Sequence, residues 1–197
     1  MTQKTFIKNR HGGQLSIVDQ QAIIDNRFSL AFYLQALTRL LSSPGRFFSE
    51  LPRESGVVQP LGFLITSALF NAGAGMTTLQ DGRLLMAGIW IVNAAVMPVI
   101  LAGISFMAMT MSMGNRTSFQ RLFSVYAFAS GVTLLASWIP LLVWITEPWK
   151  WCLATIGMVR ACGLKRLHAV LIMAVTIFIS ILLLWSVCPI ITFLKSL

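Results

Sequence analysis

Charge is what this sequence has least of. Asp, Glu, Lys and Arg together make up 11% of its 197 residues, and only six residues are acidic. Soluble domains carry about 25% charged residues. With 56% hydrophobic residues and a mean hydropathy of +0.78, the chain has too little polar surface to cover a soluble globule. The same shortage excludes a disordered chain, which needs charge and few apolar residues. Cysteine is scarce too. Cys152, Cys162 and Cys188 form no CxxC and no Cys/His ligand spacing, which excludes a zinc site and a small disulfide scaffold. Cys152 and Cys188 fall near the same end of neighbouring spans, but all three are read as free, small apolar residues. There are two histidines, His11 in a polar tail and His168 beside Lys165 and Arg166. Hydrolytic chemistry needs a nucleophile with a base in reach, or a metal with its ligands. Neither can be assembled, so the chain is read as non-enzymatic, with no cofactor and no metal. Glu50 and Glu54 are spaced for one helix face, but Pro52 between them argues against a helix there. Met107, Met109, Met111 and Met113 alternate around a helix, which scatters their thioethers and does not build a copper site.

What the sequence has is long apolar runs. A bilayer core of about 30 Å takes around 20 helical residues. Spans are expected at about 57–79, 84–113, 122–146, 148–164 and 167–194. The second is long enough to tilt and holds Pro98, where a kink is expected. The third has Pro140 near its far end. Residues 1–21 lack the apolar core and cleavage site of a signal peptide. The fold class is therefore all-α: a polytopic membrane protein of five spans, preceded by an amphipathic interfacial helix. Residues 1–25 form a polar tail, 26–56 the amphipathic helix and a Pro-Gly hinge, and 57–197 the spanning domain.

Positive charge decides the threading. The net charge is +9, with 15 Lys and Arg. No basic run interleaved with aromatics supports nucleic-acid binding; anionic lipid is the natural counterpart. With 148–164 spanning, seven basic residues lie in the N-terminal region, two at Arg116 and Arg121, and three at Arg160, Lys165 and Arg166, so twelve face inside. Arg83, Lys150 and Lys195 face outside. Without that span the division falls to ten against five. The positive-inside rule therefore puts the N-terminus in the cytoplasm and the C-terminus outside, with Arg116, Arg121, Arg160, Lys165 and Arg166 as topology anchors.

Two sets of residues stand out as candidate sites. Leu30, Tyr33, Leu34, Leu37 and Leu41 recur at helical spacing, with Gln35, Thr38, Arg39 and Ser42 opposite. This helix suits the headgroup plane or a seat on the bundle. Ser43-Pro44-Gly45 ends it, and Phe47 and Phe48 beyond are expected to dip into the lipid boundary. Leu30, Leu34, Leu37, Arg39, Phe47 and Phe48 form the candidate partner segment. Asn71 and Asn93 lie at equal distances from the Asp81-Gly82-Arg83 turn, so an antiparallel pair sets them at similar depth. They are candidates for an interhelical polar contact or for the lining of a polar path. Ser67, Asn71 and Gly75 make a small or polar stripe at a spacing of four. Small residues on several spans permit a homodimer.

Three stretches carry a resemblance. Leu41-Ser42-Ser43-Pro44-Gly45-Arg46-Phe47-Phe48, followed by Leu61-Gly62-Phe63, is similar to the pre-membrane Pro–Phe element of the Yip family, whose members are named for interaction with Ypt/Rab GTPases. Arg121-Leu122-Phe123-Ser124-Val125-Tyr126-Ala127-Phe128-Ala129-Ser130 resembles that family's third-span opening. Ile156-Gly157-Met158-Val159-Arg160, through Gly163-Leu164 to Ala169, resembles the end of its fourth. The likeness covers about residues 40–194. It implies five spans with a cytoplasmic N-terminus and work done through partner proteins. The long polar tail of many eukaryotic members is lacking, which points to a bacterial member in the inner membrane and away from a Rab-type partner. The expected function is a membrane scaffold or adaptor for a lipid or an unidentified protein; the alternative is a small transporter or channel subunit with a polar path near Asn71 and Asn93.

Overall fold

A computed structural model describes residues 29–51, 56–77, 83–114, 117–139 and 141–195; within its helices the side chains of Arg83, Met113, Leu184 and residues 186–195 are left aside. The 1–25 tail, Arg116, Pro140 and the centre of the Asp81-Gly82-Arg83 turn lie outside the described residues, as does the side chain of Cys188. Seven helices and no strand occur among the described residues: α1 Leu30–Ser42, α2 Pro44–Glu50, α3 Val58–Met76, α4 Arg83–Met113, α5 Phe119–Ser137, α6 Val143–Ala161 and α7 Arg166–Lys195. The all-α class is as expected.

Three helices are long and apolar enough to cross a membrane, over Leu84–Ser112, Phe119–Ser137 and Arg166–Leu183. The other two long helices miss that mark for reasons visible in their composition. α3 carries Gln59, Asn71 and three glycines, and α6 carries Glu147, Lys150 and Arg160.

The bundle is built around α5, which packs on α3, α4 and α6, while α7 closes against α4 and α6. Every residue from Leu122 to Thr133 is buried. Small residues make this possible. Ala127, Ala129 and Gly131 let neighbouring helices approach, and a Cβ at Gly131 would stand 2.7 Å from the Phe63 ring. From Leu122 on, the second of the three stretches quoted for the family likeness is thus enclosed by protein.

Two boundaries differ from expectation. The expected third span ran to residue 146 and the fourth opened at 148; α5 instead ends at Ser137 and α6 starts at Val143. A proline at 140 explains the break, since it donates no backbone bond and disfavours helix in the residue before it. Pro148 sits inside α6, beyond its first turn, and removes the donor that the Trp144 carbonyl would otherwise receive. The second difference is at the hinge. Ser43-Pro44-Gly45 does end α1, but Pro44 occupies the first turn of a new helix, as its fixed φ favours.

Candidate functional site

α1 and α2 are where sequence periodicity and packing part ways. α1 buries Tyr33, Ala36 and Leu40. That face lies about a quarter turn round the helix from the leucine stripe, at 100° per residue. Leu30, Leu34 and Leu41 are 67%, 55% and 55% exposed, with Leu37 partly buried against the core. The helix therefore has two apolar faces, one used and one open. Tyr33 anchors the used face. Its hydroxyl shares a hydrogen bond of 3.1 Å with Ser67 Oγ, and its ring lies 4.8 Å from that of Phe63. Ser67 is nine residues into α3, roughly 14 Å along its axis, so α1 reaches well down the side of the bundle.

The expectation that Phe47 and Phe48 dip into lipid fails for Phe48, while Phe47 is partly buried. Phe48 is wholly buried. Phe47 packs edge-on against Phe128 at 5.0 Å, and Phe128 lies 5.2 Å from Phe63. Tyr33, Phe63, Phe128, Phe47 and Phe48 thus form one aromatic chain joining α1, α3, α5 and α2. Gly157 on α6 completes the seat: a Cβ there would overlap Val125 and stand 3.3 Å from Phe48. Arg39, on the polar side of α1, reaches Glu50 at the end of α2 at 3.8 Å. Both side chains are substantially exposed, so this pair contributes little. α2 is held by its phenylalanines.

Asn71 and Asn93 line one cleft, of about 390 Å³, with Gly75, Trp90, Ser137 and Trp138. They reach the same cavity, but the hydrogen bond of Asn71 goes elsewhere: Ser137 Oγ on α5 donates to its Oδ1 at 3.1 Å. The Ser67, Asn71 and Gly75 stripe serves three neighbours, meeting Tyr33, Ser137 and Trp90 in turn. Asn93 also borders an adjoining cleft of about 360 Å³, with Thr133, Ser180 and the Glu147–Lys150 pair on its walls. Lys150 Nζ lies 2.6 Å from Glu147 Oε2 and 5.3 Å above the Trp151 ring. One helical turn past Leu101 and Ser130, which line this cleft, Ser105 and Tyr126 are fully buried.

Those residues form a polar contact that sequence reasoning missed. Ser105 Oγ lies 2.5 Å from Tyr126 OH and 2.7 Å from Thr176 Oγ1. Thr176 Oγ1 donates to the Ile172 carbonyl at 2.8 Å. A carbonyl only accepts, and each hydroxyl has one proton, so the direction is fixed. Tyr126 donates to Ser105, Ser105 to Thr176, and Thr176 to Ile172. The chain ties α5 to α4 and α7 inside an apolar bundle.

Among the remaining candidates, Arg160, Lys165 and Arg166 are exposed around the α6–α7 turn, where Gly163 adopts a positive φ of 68°. Arg121 is half-buried, and its Nε has no partner. Cys152 and Cys162 are free thiols. Among the described residues no three metal-ligating side chains come together.

Set beside known families, the chain matches the Yip1 domain over residues 38–187. No curated protein and no solved structure matches it.

Proposed function

We propose, from the premise that this chain belongs to the Yip1 domain family, that it is a five-span membrane protein acting as a non-enzymatic scaffold or adaptor for a protein or lipid partner. The observation that carries this reading is the second apolar face of α1. A helix already seated through Tyr33, Ala36 and Leu40 has no internal need for leucines at 30, 34 and 41, yet all three stand exposed. Because α1 reaches down beside α3, the stripe meets acyl chains or another membrane-embedded surface. The threading is the one that charge favours, N-terminus in and C-terminus out, with α3 to α7 as the five spans.

A transport path fits the bundle less well. Below the clefts at Asn93 lie Ala102, Ser105, Tyr126 and Leu153, all buried and, for the hydroxyls, already bonded to one another. A solute entering past Asn71 and Asn93 meets packed core within about one helical turn.

The test places a photo-cross-linking side chain at Leu30, Leu34 or Leu41 in native membranes, with Ser42 on the polar side as control. A discrete protein or lipid adduct confined to the stripe is expected. Identical scattered adducts at all four positions would refute the reading. Deleting the whole segment is not a usable test, since Leu40 and Phe48 belong to the core.

A further inference from the structure

We propose that the cleft between the α6–α7 turn and the start of α2 binds the headgroup phosphate of an anionic phospholipid. The cleft has a volume of about 400 Å³, with Arg160 and Arg166 at its rim and Ile156, Val159 and Val170 as its wall. Gly45 forms the opposite side: a Cβ there would lie 3.8 Å from Arg160 Nε, so the Arg160 side chain runs across it. The two arginines come from the end of one helix and the start of the next, and the Gly163 turn brings them to one cavity.

Among the described residues neither cation has a carboxylate partner. The described residues include two acids, and both are engaged elsewhere, Glu50 with Arg39 and Glu147 with Lys150. Two guanidinium groups lining one cavity give it a positive potential. A phosphate is the favoured anion, because the planar guanidinium fork matches its oxygens in a bidentate way.

The wall selects the rest of the ligand. A soluble anion gains nothing from Ile156, Val159 and Val170. A lipid does, because its chain continues along the Val170 face of α7, where Val170 and Ile181 stand open. Basic pockets between spans on the cytoplasmic side recurrently hold anionic headgroups. This inference deepens the scaffold reading and rests on it for the leaflet: with the N-terminus inside, the cleft opens at the cytoplasmic surface.

The test is native mass spectrometry of the delipidated protein in detergent, titrated with phosphatidylglycerol or with phosphatidylcholine. The wild-type protein should retain phosphatidylglycerol about tenfold more strongly: both lipids offer a phosphate, but phosphatidylcholine also sets a quaternary ammonium beside the two arginines. The R160Q/R166Q variant should lose that preference. K165Q, which removes the same charge from an exposed neighbour, should keep it within about twofold. Gly45→Leu should lower retention with both arginines in place, by filling the cleft; it stands in if the arginine variant folds poorly. Equal retention of the two lipids by the wild type would overturn the proposal, as would full retention by R160Q/R166Q. So would an acidic peptide that binds the wild type, but not R160Q/R166Q, while no lipid is held. The protein is pure and partner-free in this assay, so the result reads the cleft alone, whereas the scaffold reading stands or falls on cross-linking at Leu34.

Discussion

The hydroxyl chain through Ser105 makes an unequal set of mutational costs. Ser105→Ala removes the middle member. Tyr126 then loses its short acceptor, and its buried proton is left with poorer partners, the Thr176 hydroxyl and Met173 Sδ at 3.9 Å. An orphaned buried donor costs about 1–3 kcal/mol. Tyr126→Phe is milder, because Ser105 keeps its own bond to Thr176 and only a lone pair goes unmatched. Interhelical hydrogen bonds in membranes average about 0.6 kcal/mol and reach about 1.7, so about 1 kcal/mol is expected. In the S105A background the tyrosine proton is already unsatisfied, and removing it should cost nothing or restore stability. The coupling between the two substitutions is therefore about 1 kcal/mol or more. Reversible unfolding in mixed micelles, followed through the six tryptophans, measures all four corners of the cycle. Additivity within about 0.3 kcal/mol, the behaviour of independent sites, would refute the directed chain.

Other outcomes follow from the same packing. Phe48→Ala should destabilise by about 3–5 kcal/mol, as expected for a buried aromatic, while Leu34→Ala should stay within about 0.5 kcal/mol; equal losses in the unfolding assay would mean that α1 and α2 are not seated as described. Gly157→Ala drives a methyl into Val125 and towards Phe48, so a loss of about 1–3 kcal/mol is expected, and an unchanged midpoint would show that α6 does not approach α5 so closely. Asn71→Leu breaks the bond from Ser137 at a cost of about 0.6–1.7 kcal/mol, and Ser137→Ala should add little on top of it in a double-mutant cycle. For the threading, with the three native cysteines replaced by serine, a cysteine replacing Leu141 should react with an impermeant maleimide from outside intact cells, and one replacing Lys165 only after permeabilisation; the reverse pattern would invert the proposed topology.

How far the sequence could be read depended on what apolar periodicity reports. It located α1 but did not tell which side of it packs on the bundle. In water a leucine stripe marks the buried side; beside lipid, the outside is as apolar as the inside, and leucine has no preference. Small residues mark the inside better. Ala36, Ala127, Ala154, Gly157 and Ala169 are all buried, whereas leucines fall on both sides: Leu40, Leu122 and Leu153 are buried, and Leu30, Leu34, Leu167 and Leu171 are not. Depth was legible and partnership was not. Counting from the Asp81-Gly82-Arg83 turn set Asn71 and Asn93 on one cleft, but Asn71 bonds Ser137 because α3 packs most extensively on α5 and not on its sequence neighbour α4. Charge near a span end was legible in the same partial way: Arg160 and Arg166 read as anchors singly, and only the turn at Gly163 makes them one rim. The hydroxyl chain was beyond pattern reading altogether, since 21 residues separate Ser105 from Tyr126 and 71 separate it from Thr176. Its one signal was chemical. A hydroxyl buried among apolar residues must find a partner, and a tyrosine at the centre of the most enclosed helix has to find one on another helix.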